Sequence, residues 1–318
     1  MSKHSTWRSH PRILDGTGTL GYAGFPVVNK DNYALGTLCM LNKTPKSLDN
    51  NQVDLLKKIT ANNGGVFTGS GTNTYLIGSE DITLIDPGPN LPDHVEKILL
   101  EGGDKIKRIL VTHTHKDHSP AASPIAKKLN IPLFGRLVDR ESQWEDETFV
   151  PDTVLSHGYK ITTNEYTIEA IHTPGHASNH LCFYLEEQKC LLTGDHIMDG
   201  STVVIAPPDG DMTEYIDSLK LLENYKIDYF APGHGNYMQE PSKTIQSIIR
   251  HRLSRETKVI RCIEKNKDSN IDELLLLVYD DVPEMLHPIA KMSLLAHLIK
   301  LEVDGKIKNI ENTYSLFS

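Results

Sequence analysis

The stretch VTHTHKDHSP, residues 111–120, places His113, His115, Asp117 and His118 within six positions. A solvated loop has no need of such a set, and a packed core would have to satisfy every ring nitrogen. Three other fragments set a ligand-type residue beside glycine: HTPGH with His176, LLTGD with Asp195 and APGHG with His234. Glycine lets backbone approach a crowded centre. Imidazole and carboxylate without thiolate suit Zn²⁺, with Mn²⁺ or Fe²⁺ as alternatives. Seven such ligands are too many for one tetrahedral ion and suit two ions sharing a bridging carboxylate. Two ions ~3.5–4 Å apart can hold a hydroxide at neutral pH and stabilise charge on attacking and leaving oxygens. No serine or cysteine nucleophile is then needed, and Asp117 could orient the hydroxide. The chemistry expected is hydrolysis of an ester-like bond: phosphodiester, thioester or lactam.

Elements that could hold these residues in place alternate along residues 74–237. TYLIG and ITLIDPG read as strands joined at Ser79–Asp81, HVEKILLEGG as a helix ended by glycine, and RILVTH as a short buried strand. SPAASPIAKKLN reads as a helix with Ser119 at its N-cap and Pro120 at its first position. IPLFG, YTIEAIH and IDYFAPG supply more strands, and NHLCFYLEEQKCLLTGD a hairpin turning at Glu186–Lys189. Strands and helices in alternation predict an α/β layered domain. The ligand cluster follows RILV, so it lies at a strand's carboxyl end, where open α/β folds place their sites. From 241 onward the pattern is helical and closes with two short strands, KIKN and TYSLF, as in a compact winged-helix-like module. The expected division is a fragment over 1–61, a catalytic domain over 62–240 and a helical winged-helix-like domain over 241–318.

Composition narrows the setting. Hydrophobic residues make up 38% and charged residues 24% of 318 positions, ordinary for a soluble globular chain. No apolar run reaches the ~18 residues of a membrane span. The N-terminus lacks an apolar signal core, so a cytoplasmic location is expected. Four cysteines without C-x-x-C spacing argue against a disulfide framework. Net charge of −9 disfavours tight binding to long nucleic acid, yet residues 243–267 hold eight basic side chains against two acidic ones. Arg252 and Arg255, three apart on one helix, share a face that could pair with phosphates.

Asp86 in LIDPG, the His113/His115/Asp117/His118 set, His176, Asp195 and His234 occur in an order that resembles the metallo-β-lactamase superfamily. The resemblance implies an αββα sandwich. It implies that His113, His115 and His176 hold the first metal, that Asp117, His118 and His234 hold the second, and that Asp195 bridges. Asp86 would support the site from behind. The stretches FTGSGTNTYLIG, GDHIMDGSTVVIAPPDGDMTEYIDSLKLL and HRLSRETKVI look like the β-lactamase-like protein 2 branch, whose studied members cleave single-stranded RNA. The leading expectation is therefore a dinuclear-zinc endoribonuclease acting on single-stranded RNA, with a small-molecule ester as the other substrate class. The rival is a glyoxalase II-like thioesterase.

Residues 1–60 are similar to the second half of a GAF sensor domain: a strand, a turn at NKDNYA, the strand LGTLCML, then a helix. Asp49 with Gln52 makes a capping-box signature, and Val53, Leu56 and Ile59 a stripe. A ligand-sensing, GAF-linked regulator is the reading from a different class. Sixty residues cannot bury a core alone, so the fragment is expected to pack on the hydrolase or on a second copy, giving a homo-oligomer.

Overall fold

A computed structural model of the chain describes residues 21–28, 34–42 and 55–317. It divides into two compact units, Met1–Val53 and Asp54–Ser318. In the first unit β1 (Gly21–Val28) and β2 (Ala34–Asn42) form an antiparallel hairpin. The expected capping box at Asp49 and Gln52 lies outside the described residues.

The second unit is built on two six-stranded sheets. The first runs β3 (Leu56–Thr60), β4 (Asn73–Ile77), β5 (Ile82–Ile85), β6 (Ile106–Leu110), β7 (Leu133–Gly135) and β8 (Thr153–Val154). The second takes β9 (Tyr159–Thr162), β10 (Thr167–His172), β11 (Leu181–Leu185), β12 (Cys190–Gly194), β13 (Tyr229–Pro232) and β14 (Met238–Gln239) in that spatial order. Alternation with period two sends one set of side chains into the layer between the sheets, including Tyr75, Ile85, Leu110, Phe183 and Leu192. The intervening residues face helices. Leu76, Leu84 and Ile109 pack under α1 (Pro92–Gly102) and α2 (Ala122–Leu129). Ile171, Cys182, Leu191 and Phe230 pack under α3 (Met212–Leu222) and the start of α4 (Pro241–Lys265). The result is the αββα sandwich. Cys182 and Cys190 are buried free thiols.

Two local readings are corrected. Leu56–Thr60 is a strand, not the end of a helix. Leu56 enters the layer between the sheets and Ile59 the layer beneath the helices. A helix would have put both on one face, whereas a strand serves both apolar layers and pairs with the edge of β4. A division at residue 61 would therefore sever β3 from its sheet. The second correction concerns α2, which begins at Ala122 with Ala121 as N-cap and no side-chain cap. Ser119 instead donates to Asp146 Oδ2 at 2.7 Å.

The C-terminal part comprises the end of α4, α5 (Ile271–Val278), α6 (His287–Val303) and the hairpin β15 (Ile307–Ile310) and β16 (Thr313–Leu316). Asn270 and Glu273 close a capping box at α5. Val259, Leu274, Leu294, Leu298 and Ile307 form its own core. Helix α4 has 25 residues, roughly 37 Å at 1.5 Å per residue, and contributes to this core and to the one beneath sheet two.

Candidate metal centre

Asp86 follows β5, the 113–118 cluster follows β6, and His176, Asp195 and His234 follow β10, β12 and β13. Strands β5 and β6 are parallel, as are β12 and β13, so these ends gather at one edge of the sandwich. The crowding there leaves no room for side chains at two glycines. A Cβ on Gly194, whose φ is +46°, would lie 2.7 Å from both His180 Nε2 and Thr112 Oγ1. One on Gly233 would lie 2.8 Å from His118 Cε1 and 2.9 Å from Asp195 Oδ1.

The structure brings all seven ligand-type residues together, and hydrogen bonds fix which ring atom of most of them faces inward. His176 Nδ1 donates to Val204 O at 2.7 Å, and His234 Nδ1 to Gly71 O at 3.2 Å, leaving each Nε2 for the centre. Asp86 lies behind. Its Oδ1 accepts from Thr112 N at 2.7 Å, and its Oδ2 accepts from Thr112 Oγ1 at 2.7 Å and meets His118 Nδ1 at 2.9 Å. His113 Nδ1 meets the same threonine hydroxyl at 3.0 Å. One carboxylate thus orients two rings.

The inward atoms form two groups. His113 Nε2 and His176 Nε2 lie 3.0 and 3.1 Å from His115 Nδ1. His118 Nε2 and His234 Nε2 lie 3.4 and 3.2 Å from Asp117 Oδ2. Asp195 stands between them. Its Oδ1 is 3.4 Å from His118 Nε2 and 3.3 Å from His234 Nε2, and its Oδ2 is 3.7 Å from His176 Nε2. His118 Nε2 and Asp195 Oδ1 are buried with no hydrogen-bond partner among the described residues. Buried nitrogen and oxygen atoms that converge with no hydrogen-bond partner are what a cation requires, so this donor set fits a divalent metal.

Electrostatics separate the two groups. Burial, aided by the neighbouring imidazoles, holds His113 well below its ordinary value and His115 down at about 3. His113 and His115 are therefore neutral, as metal ligation demands. Burial also opposes charge on His118 and His234, but there the carboxylates win. Asp117, Asp195 and Asp86 hold His118 well above its ordinary value, and Asp195 and Asp117 bring His234 up to about 10. In return, against burial, the imidazoliums pull Asp117 to about 2 and Asp195 well below the carboxylate range.

His180 accepts from Asp195 N at 3.2 Å and so supports the bridge position, while His172 meets Ser178 O at 2.9 Å, away from the centre. His196 packs against the Tyr215 ring. Thr72, whose hydroxyl lies 3.2 Å from Asp117 Oδ2, carried no sequence signal of its own. The same holds for Glu145 and Asp209, both close to His115.

Arg252 and Arg255 do not form an exposed phosphate-binding face. Arg252 is 3% exposed; its guanidinium donates to Val203 O and lies 5.3 Å from the Tyr215 ring centre. Arg255 is paired with Asp281 at 2.7 Å and lies over the Tyr279 ring at 4.4 Å. A half-buried or buried guanidinium needs acceptors, and Val203 O and Asp281 supply them to the terminal nitrogens of Arg252 and Arg255.

A cavity of about 740 Å³ includes His115, Asp117, His176, Asp195 and His234 in its wall. The rest of the wall is largely apolar. Val66, Phe67 and Trp144 come from the loops of the sandwich, Met198 and Val203 from the segment after β12, and Val282, Leu286, Ile289 and Met292 from the C-terminal part.

Comparison with known proteins agrees with this architecture. Residues 67–234 match the Metallo-beta-lactamase superfamily, and 271–314 match the Beta-lactamase associated winged helix domain. A Drosophila melanogaster Beta-lactamase-like protein 2 homolog is 32% identical over 264 residues, covering 79% of this chain and 89% of the relative. An Atrochrysone carboxyl ACP thioesterase of Aspergillus chevalieri is 29% identical over 265 residues, covering 79% and 82%. A metallo-beta-lactamase family protein from Thermus thermophilus superposes with a TM-score of 0.70 at 20% identity, over 83% of this chain and 99% of that one, which speaks to the fold. The chain therefore belongs to the metallo-β-lactamase superfamily, as a hydrolytic enzyme carrying the winged-helix module associated with that fold.

Proposed function

We propose that the chain is a dinuclear metal hydrolase whose substrate is a thioester or ester with a bulky apolar acyl group. The observation that carries this reading is the cavity. It joins the ligand cluster to a wall of Phe67, Trp144, Met198, Leu286, Ile289 and Met292. Its cationic lining residues already have partners: Arg252 with Val203, Arg255 with Asp281, and Lys116 with Gln143 O. Apolar lining with few convergent polar groups suits a ligand that buries hydrocarbon. The thioesterase named among the relatives supports the same reading.

His113, His115 and His176 would hold one ion, Asp117, His118 and His234 the other, with Asp195 shared. Two divalent ions there would activate water and polarise the scissile carbonyl. Asp117, 28% exposed in its side chain and held by Thr72 and His234, would orient the attacking water. Water adds to the acyl carbon, the carbon–sulfur bond breaks, and the thiol leaves with a proton.

A second reading, cleavage of single-stranded RNA, draws on Arg250, Arg261, Lys265 and Lys267, which are exposed in and just after α4. Both are tested by offering zinc-loaded protein a series of acyl thioesters and a single-stranded RNA side by side. Turnover rising with acyl length, with RNA intact, is the expected result. RNA cleavage with no thioesterase activity would replace the first reading by the second.

A further inference from the structure

His115 turns Nδ1 toward His113 and His176, so its Nε2 points out of the first ligand group. There it meets a short strap, residues 144–146, that runs antiparallel to 114–116. Lys116 N donates to Trp144 O at 3.0 Å, and Asp146 N to Thr114 O at 2.7 Å, which sets Glu145 directly opposite His115. Residues opposed in this way present their side chains to one another. Glu145 Oε1 lies 3.9 Å from His115 Nε2, while Oε2 is held by the Thr114 hydroxyl, itself bonded by Asn179. Asp209 completes the group: Oδ1 accepts from Ser178 N at 3.1 Å. Glu145 Oε1 and Asp209 Oδ2 are both buried without a hydrogen-bond partner among the described residues. Glu145 and Asp209 thus each bring a carboxylate oxygen within 4.8 Å of a ring nitrogen of His115.

A neutral imidazole that gives Nδ1 to a metal carries its proton on Nε2. We propose that Glu145 is a positioning residue whose Oε1, 3.9 Å from His115 Nε2 and otherwise unpartnered, closes on that N–H when the first ion is bound and so fixes the tautomer and ring plane of His115, with Asp209 as the neighbouring carboxylate. The proposal rests on the metal-centre reading given above.

The test compares wild type, Glu145→Gln and Glu145→Ala. Retention of the first ion is measured by chelator competition, and its geometry by the visible absorption of cobalt-substituted protein. Loss of a partner behind a ligating histidine typically costs 10–100-fold in metal affinity. Glu145→Ala should weaken first-ion retention by about that factor and shift the cobalt spectrum. Glu145→Gln, which keeps an acceptor oxygen, should retain affinity within about threefold. The melting temperature of the chelated variants should match wild type. Wild-type retention in Glu145→Ala with an unchanged spectrum would overturn the positioning role alone. A third ion per chain, lost on mutating Glu145, would overturn it by making the carboxylate pair a site of its own. Equal loss in both variants with a lowered melting temperature of the chelated protein would make Glu145 merely structural. A wild-type chain that retains no ion would remove the metal centre and this role together.

Discussion

Asp195 has one oxygen toward His118 and His234 and the other toward His176. Replacing it by alanine takes a shared ligand from both groups but leaves His113, His115 and His176 in place. Since loss of a residue merely behind a ligand costs up to ~100-fold, loss of a ligand should exceed that. Asp195→Ala should reduce turnover by more than about 100-fold and retain at most one ion by elemental analysis; two retained ions would deny its bridging role. The same cluster dictates how the chelated protein responds to pH. His118 and His234 have folded values raised above the unfolded ~6.5. Their contribution is fully present below pH ~6.5 and is lost as pH rises through about 10, the value for His234. The chelated protein should therefore melt at progressively lower temperature from pH 7 to 10. The metal-loaded protein, with these imidazoles already neutral, should not follow it. A flat or rising chelated melting curve over that range would contradict the pairing. The ligand residues were legible because each sits in a short motif after an apolar run. Thr72, Glu145 and Asp209 were not, because their partners lie 45, 30 and 94 residues away in the chain and no local pattern encodes such meetings.

Among the elements, β3 links the sheet edge to the site. Thr60 donates to Asn73 Oδ1 at 2.8 Å, and Asn73 in turn holds Pro232 O and Gly235 O, on either side of His234. Lys58 adds a bond to Gly235 O at 3.1 Å. Most strands and helices were readable from periodicity. This strand was not, because Leu56 and Ile59 stand three apart, a helical spacing, while their burial on opposite faces depends on a sheet that the local sequence does not contain. Chains beginning at Asp54 and at Asn62 should therefore differ. The first keeps β3. The second forfeits burial of Leu56 and Ile59, about 1.5–3 kcal/mol each, or about 3–6 kcal/mol together. Denaturant titration should show that loss, and turnover should fall with the loosened His234 loop. Equal stability of the two chains would show that β3 is dispensable.

For the whole molecule, the question is what joins the C-terminal part to the sandwich, since both line one cavity. Arg252, on the helix common to both cores, donates to Val203 O and stacks near Tyr215, a residue of α3 beneath sheet two. A charged hydrogen bond of this kind is worth about 1.5–3 kcal/mol and the ring contact about 0.5–2 kcal/mol. Arg255 pairs with Asp281, donates to Val278 O at 2.6 Å and lies over the Tyr279 ring, so its partners all lie within the C-terminal part. The sequence placed these arginines on one face of one helix, but it could not say that the face turns inward, because the acceptor is a backbone carbonyl 49 residues away. Arg252→Ala should therefore destabilise the protein by about 2–4 kcal/mol. Because Val203 and Arg252 both border the cavity, Arg252→Ala should lower turnover of long and small substrates alike, with no change in salt dependence. Arginines that touched a polynucleotide would behave otherwise. Each substitution would then reduce the salt slope of RNA binding by about one unit and spare a small chromogenic phosphodiester. That outcome would return the RNA reading to first place.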